Sequence, residues 1–134
     1  EMGSKRRNVY ALDKLQDLLY GATTGHVKNA INRAILATMV LLKDQKLPVT
    51  GDVAKGAASD KWPVPPAYKP FMRSHTVAAS TASTQMSSTM TALEDLGAVK
   101  NTGTMHKPVF EFTDTPIARR LEEVVRTKIL VPVI

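Results

Sequence analysis

Uncharged hydroxyl side chains crowd one stretch of the chain. Ten of the eighteen residues from 74 to 91 are Ser or Thr, and no Lys or Arg occurs between residues 74 and 99. Hydroxyl groups can both donate and accept hydrogen bonds without carrying charge. We therefore expect a helix that carries them to present a polar, uncharged face to a binding partner. The alternative for such a composition is a flexible low-complexity linker.

The residue types that catalysis requires are scattered. The three histidines, His26, His75 and His106, lie far apart and share no metal-ligand spacing with one another or with acids. Residues 51–58, GDVAKGAA, contain two glycines but lack the Lys-Ser/Thr step of a phosphate-binding loop. Neither a Gly-x-Ser-x-Gly sequence nor a cysteine is present. We therefore expect no enzyme, no metal site and no cofactor, and the lack of cysteine suits the reducing cytoplasm.

Length, charge and hydropathy narrow the class of protein. A chain of 134 residues with 43% hydrophobic residues is long enough for one domain with an aliphatic core. The net charge of +6 is compatible with a nucleic-acid partner. No apolar run approaches the roughly 20 residues of a membrane span, so we expect no membrane association. Residues 1–7 are expected to be a flexible basic tail or cloning residue, and residues 8–134 a single domain.

Apolar spacing places the second half of the hydroxyl-rich stretch on a helix, with Met86, Met90, Leu93 and Leu96 on one side. Gly97 is the expected C-cap. The start of this helix is open, because Ser83 or Thr84 could cap it or the preceding TVAASTAS could extend it backwards. The side opposite the apolar stripe carries Thr84, Ser87, Ser88, Thr91 and Asp95.

Three further helices are predicted before this stretch. They cover residues 8–20, where Gly21 breaks the pattern, residues 26–45, and a short segment from an N-cap at Thr50 to about residue 58. A proline-rich insertion follows at about 59–74, with four prolines in the eight residues from 63 to 70. It cannot be a helix or a central strand. The aromatic side chains that would pin it to the core are Trp62, Tyr68 and Phe71.

The periodicity changes after Gly97. The short β-prone runs AVKN and PVFEFT flank TGTMHK, which predicts a hairpin with Gly103 in its turn. A last helix is expected after a cap at Thr113 or Asp114, with Pro116 in its first turn. The fold class is therefore mainly α with a small β-hairpin.

The segments MTALEDLGAVKN, residues 90–101, and VFEFTDTPIARRLEEV, residues 109–124, carry a family resemblance. Their order and spacing resemble the winged helix-turn-helix of MarR-like and related bacterial and archaeal DNA-binding proteins. The resemblance also covers residues 26–58 loosely. Two features depart from it. The turn before the recognition helix is normally a few residues, whereas more than twenty separate Ala58 from Thr84, and the helix has no basic residue.

The resemblance implies a winged helix with flanking N- and C-terminal helices that binds double-stranded DNA as a homodimer. Base contacts from the recognition helix would come from Thr84, Gln85, Ser87, Ser88 and Thr91. Contacts from the wing and flanks would come from Arg73, His75, Lys100, Asn101, His106 and Lys107. The flanking helices would dimerise through Leu12, Leu15, Leu19, Ile117, Leu121 and Val124.

Transcriptional regulation is the expected role of such a protein in the cytoplasm, where it would be associated with the nucleoid. The same fold serves plasmid partition and replication initiation, which are the alternatives within DNA binding. An alternative of another class is a winged-helix protein-interaction module, in which the hydroxyl-rich face or the proline-rich insertion grips a protein. The absence of basic residues on the helix favours that alternative.

Overall fold

The structure is a computed structural model that describes residues 9–130, with side chains from residue 11 onward. The predicted basic tail at residues 1–7 lies outside the described residues. The helices are α1 (Val9–Thr24), α2 (Ala30–Asp44), α3 (Gly51–Ala58), α4 (Ala79–Asp95) and α5 (Pro116–Val124), with a 3-10 turn at Pro66–Phe71 and a π-helical turn at Val125–Ile129. The strands are β1 (Val49–Thr50), β2 (Val99–Asn101) and β3 (Val109–Phe112). The described chain is mainly helical with a small antiparallel sheet, as predicted.

The three strands pair in the order β1-β3-β2. The predicted hairpin is β2 and β3, with Val99 opposite Phe112. Strand β1 was not predicted, because two residues are too few to show an alternating pattern. It pairs Val49 with Phe110 and so fastens the hairpin to the connection between α2 and α3. The hairpin turns its two phenylalanines inward, since Phe110 is buried and Phe112 packs against the core.

The first helix does not end at Gly21, as its sequence pattern predicted, but continues to Thr24. Gly21 allows the helix to pack closely against Val27, because a Cβ at this position would lie 2.5 Å from Cγ2 of Val27. The break falls at Gly25, whose φ of +86° is left-handed. Helix α2 then starts at Ala30 rather than at residue 26, because the Asn29 side chain caps it by accepting from the backbone N–H of Asn32.

The hydroxyl-rich helix extends backwards to Ala79, which settles the alternative that the sequence left open. It ends as predicted, with Gly97 in the left-handed conformation at φ +75°. The last helix is capped by Thr115, whose side chain accepts from the backbone N–H of Ala118. The prediction of Thr113 or Asp114 as its cap was wrong. The Thr113 hydroxyl donates instead to the carbonyl of Gly97 and so ties the start of α5 to the end of α4.

The core lies where α2 meets the other helices and the inner face of the sheet. The predicted apolar stripe of α4 is confirmed, because Met86, Met90 and Leu93 are buried and Leu96 packs against them. The largest fully buried side chains are aliphatic or Met, which agrees with the low aromatic content of the chain. They include Leu18, Ile35, Leu36, Met39, Leu42, Met90, Leu93 and Leu121.

The two ends of the proline-rich insertion lie side by side and are joined by hydrogen bonds. The backbone N–H of Asp60 donates to the carbonyl of His75, and the N–H of His75 donates to the carbonyl of Ala57. The Ser59 hydroxyl closes the same neck by donating to the carbonyl of Val77. Because these bonds clamp the two ends together, α3 and α4 remain packed against each other despite the length of the connection.

The body of the insertion is packed onto the helices. Tyr68 and Phe71 contact the core, as predicted, and the Tyr68 hydroxyl donates to the carbonyl of Pro48. Trp62 instead lies beneath the Lys55 ammonium, 4.9 Å from it. The insertion approaches α3 so closely that a Cβ at Gly56 would lie 2.3 Å from Cγ1 of Val64. This contact explains a glycine inside a helix.

The Gly56–Val64 contact gives the first prediction. Gly56→Ala should lower the free energy of unfolding by about 1–2 kcal/mol, because overpacking outweighs the better helix propensity of alanine. In a Val64→Ala background, which removes the obstructing methyl groups, the same substitution should be neutral or stabilising. Urea unfolding of the four proteins measures the coupling. Equal effects of Gly56→Ala in both backgrounds would contradict the contact.

Candidate nucleic-acid interface

Helix α4 presents an uncharged hydroxyl face to solvent. Of the predicted contact residues, Thr84 and Ser87 are exposed, whereas Gln85 and Thr91 are half-buried. The backward extension of the helix adds three exposed hydroxyl residues that the prediction did not include. They are Ser80, Thr81 and Ser83. They were missed because the sequence left the start of the helix open.

Ser88, predicted to lie on this exposed face, is buried with only 5% of its surface accessible. Its neighbour Thr89 is fully buried. Both side chains contact an amine from another helix, because the Lys14 ammonium lies 2.9 Å from Ser88 Oγ and 2.9 Å from Thr89 Oγ1. The prediction of Ser88 as a base contact is therefore corrected, since the side chain faces α1 rather than solvent.

Three acceptors surround the Lys14 ammonium, one for each of its three N–H donors. Its third partner is the backbone carbonyl of Gln85, at 3.2 Å. The two hydroxyl groups direct their own hydrogens elsewhere, since Ser88 donates to the same carbonyl and Thr89 donates to Oδ1 of Asn32. Their lone pairs are therefore free to accept from Lys14, which has three donors and no acceptor.

The network continues into the start of α2. The Asn32 amide donates to the Lys14 carbonyl and to Asp17, and Asp17 accepts from the backbone N–H groups of Lys28 and Asn29. No buried side-chain nitrogen or oxygen of the described residues lacks a partner. One connected set of hydrogen bonds therefore joins α1, the start of α2 and the middle of α4.

Burial of Lys14 perturbs its protonation. Desolvation lowers the pKa of Lys14 to about 8, against a smaller opposing effect from the charge of Asp17. The sequence carries a signal for this residue. Lys14 lies on one helical face with Ala11 and Leu18, which are the buried positions of α1. The apolar spacing of Leu12, Leu15 and Leu19 favours a different side of the helix, so the sequence did not predict burial of Lys14.

The hairpin that follows α4 has a self-bonded tip. The Asn101 side chain accepts from the backbone N–H groups of Gly103 and Val109 and donates to the carbonyl of Thr104. Asn101, predicted as a DNA contact, thus holds the turn together. The tip exposes three consecutive side chains, Met105, His106 and Lys107, two of which were predicted contacts.

Positive charge is unevenly neutralised in the described part of the chain. The ion pairs gather at α5, its π-helical turn and the end of α2, where Lys43 meets Glu122 and Arg126 meets Asp44. None of the ion pairs between described residues involves the hairpin or the proline-rich insertion. Lys100 and Lys107 are exposed and carry unpaired charge, although Glu111 lies opposite Lys100 in the hairpin.

Two predicted contacts lie away from the hairpin. Arg73 and His75 line a cavity of about 450 Å³ together with Arg33 of α2, and no hairpin residue lines it. The backbone N–H of Arg73 donates to Thr38 in α2, which fixes the segment there. The structure thus divides the predicted cations between two surfaces.

The predicted dimer residues also divide into two groups. Leu121 and Val124 are buried in the core of the chain itself. Leu15 and Ile117 pack against that core and are half-buried. Leu12 and Leu19 remain exposed, at 47% and 42%. These two are the members of the set that lie open to a second chain.

Comparison with protein-family models found no match, and comparisons with curated proteins and with solved structures found none. Within residues 9–130, no helix is long and apolar enough to cross a membrane. The same residues contain no group of three or more His, Asp or Glu side chains that could hold a metal ion.

The Lys14 network gives a prediction of pH dependence. The unfolded chain binds a proton at Lys14 up to about pH 10.5, but the folded chain only up to about pH 8. Between these values the unfolded state holds the extra proton, so raising the pH favours the folded state. From pH 7 to pH 9.5 the wild type should gain about 2 kcal/mol relative to Lys14→Met.

Urea unfolding of both proteins at the two pH values measures this difference. The other titrating groups are shared by the two proteins, so their contributions cancel. A stability difference that stays constant with pH would show that Lys14 titrates normally.

Proposed function

We propose that this protein binds double-stranded DNA in a sequence-specific manner through a winged helix-turn-helix. In this proposal α3 and α4 are the helix pair, α4 is the recognition helix, and the β2–β3 hairpin is the wing. The observation that carries the proposal is the hydroxyl face of α4, which is followed directly by a hairpin with a hydrogen-bonded tip and unpaired lysines. The helix order, the sheet and the clamped insertion support the same assignment.

The side chains of α4 suit contact with base edges. Thr84 and Ser87 are exposed one turn apart, so both can face a major groove. Their hydroxyl groups can bond to bases or phosphates, and the methyl group of Thr84 can touch a thymine methyl group. Gln85 and Thr91 extend this face at its half-buried edges. Short side chains let the helix lie deep in the groove, which favours selectivity over charge-driven affinity.

Phosphate contacts fall to the wing in this proposal. Lys100 and Lys107 project from a hairpin whose tip is fixed by hydrogen bonds, so little ordering is required when DNA binds. Glu111 weakens the attraction of these lysines for phosphate, because its carboxylate shares the outer face of the hairpin with Lys100. The net attraction of the wing for DNA is therefore modest.

Wing substitutions test the proposal with matched controls. Lys100→Gln and Lys107→Gln should each weaken binding to all duplexes and lower the salt slope by about 1, because each removes one phosphate contact. Glu111→Gln should strengthen binding, since it removes a repelling charge. Arg119→Gln is the control, because Arg119 of α5 is paired with Asp114, which precedes that helix. Anisotropy titrations at two salt concentrations measure all four.

Selection from random duplexes tests the recognition face. Thr84→Ala and Ser87→Ala should change the enriched sequence, whereas Ser88→Ala should affect stability instead. Sites with two-fold symmetry near promoters would indicate transcriptional regulation, and tandem repeats would indicate plasmid partition or replication. Absence of binding at either salt concentration would favour the protein-interaction module, because the α4 face carries no cation.

A homodimer through α1 is part of the proposal. Leu12 and Leu19 are exposed and seven residues apart, so they lie on one side of the helix, and Tyr20 beside them is 44% exposed. Two-fold symmetry would then present two α4 helices to a palindromic site. Sedimentation of wild type and of Leu12→Ser/Leu19→Ser measures the association. The double variant should be monomeric and bind a palindrome at least tenfold more weakly, with unchanged stability, and a wild-type monomer would refute the dimer.

A further inference from the structure

A second surface concentrates positive charge away from α4 and the hairpin. Two cavities adjoin along the first half of α2, where they share Arg33 and Ile129 as lining residues. One lies against Arg73 and His75 and has a volume of about 450 Å³. The other lies against Lys28 and Lys128 and has a volume of about 590 Å³. We call the two together the α2 groove.

The α2 groove is lined by cations without a carboxylate. Lys28, Arg33, Arg73 and Lys128 contribute four positive charges, and no Asp or Glu lines either cavity. Two other cavities of the described chain carry both signs, with Glu111 in one and Asp114, Glu122 and Glu123 in the other. The α2 groove therefore differs from these two cavities in carrying charge of one sign. Its cations also take part in no ion pair between described residues.

The groove is shaped before any ligand arrives. The Arg73 guanidinium is held by bonds from one terminal nitrogen to the carbonyls of Pro70 and Met72, so its other nitrogens remain available as donors. The Lys128 side chain lies against Gly25, because a Cβ added at Gly25 would be 3.6 Å from the Cε atom of Lys128. Alanines of α2 also line the cavity beside Arg73, and their small side chains take up little of its space. Preformed donors in a concave site suit an anion with several oxygens.

We propose that the α2 groove binds a ligand that carries two or more phosphate groups. Arg33, which lines both cavities, bridges two phosphates, and Arg73 and Lys128 hold the outer ones. The phosphates belong either to a free phosphorylated molecule or to the backbone of a nucleic acid that passes over this face. The proposal does not depend on α4 recognising DNA, because no residue of α4 or the hairpin lines the groove.

The test uses the full chain with pyrophosphate as the probe and Arg33→Gln, Arg73→Gln and Arg119→Gln as variants. The Arg33 side chain is exposed and makes no hydrogen bond to a described residue, so its replacement should leave the fold intact. Calorimetric titration at constant ionic strength measures pyrophosphate binding. Anisotropy with a duplex at several salt concentrations measures the phosphate contacts made with DNA. Thermal unfolding of each variant verifies that it is folded.

Saturable pyrophosphate binding that weakens at least tenfold in Arg33→Gln and in Arg73→Gln, but not in Arg119→Gln, supports a free phosphorylated ligand. A fall of about 1 in the DNA salt slope for each groove variant supports nucleic-acid backbone as the source. Pyrophosphate binding in a chain that binds no duplex would support the groove while refuting the proposed DNA function. If neither pyrophosphate binding nor the salt slope responds to Arg33 or Arg73, the proposal is overturned.

Discussion

The position of α4 depends on one buried amine. Lys14 carries its ammonium from α1 into the contact with α4, where two hydroxyls and a carbonyl accept from it. A buried ammonium without partners would be costly, so only an arrangement that brings Ser88 and Thr89 to Lys14 is stable. Apolar contacts alone would let the two helices slide or rotate, since they are non-directional. The hydrogen bonds select one rotation of α4, and this rotation decides which hydroxyls face outward.

A second constraint keeps the remaining elements in register with α4. The insertion between α3 and α4 is long enough to separate the two helices. Its two ends are nevertheless joined by backbone hydrogen bonds of His75, and its middle packs against Gly56 of α3. At the other end, Thr113 joins the carbonyl of Gly97, so the hairpin leaves α4 in a fixed direction. Strand β1 then binds the hairpin from the opposite side. Both ends of α4 are therefore fixed to elements that are themselves packed on the core.

The sequence predicted the parts of this fold that local patterns encode. The stripe of α4, the left-handed Gly97 and the Thr50 cap follow from periodicity and from backbone chemistry, which need no knowledge of the other elements. The burial of Ser88 did not follow, because it depends on an amine 74 residues away. The same is true of Gly21 and Gly56, which look like helix breakers but are contact points for Val27 and Val64. Strand β1 is defined by its partner β3 alone.

The buried amine also bears on how a helix without exposed cations meets an anionic partner. At pH 7 Lys14 is mostly protonated, because its pKa is about 8. Its charge then lies on the inner side of α4, in an environment less polar than water, where it is screened less than a surface lysine. The Asp17 carboxylate of the same network partly offsets this charge, so the ammonium holds α4 in place and is not the group that attracts a partner to the outer face. Short hydroxyls on that face can approach a partner closely, while the attraction comes from the unpaired lysines of the hairpin. In the proposed DNA binding this arrangement separates attraction from selectivity, because the hairpin lysines contribute charge and the exposed Thr84 and Ser87 contribute the choice of bases.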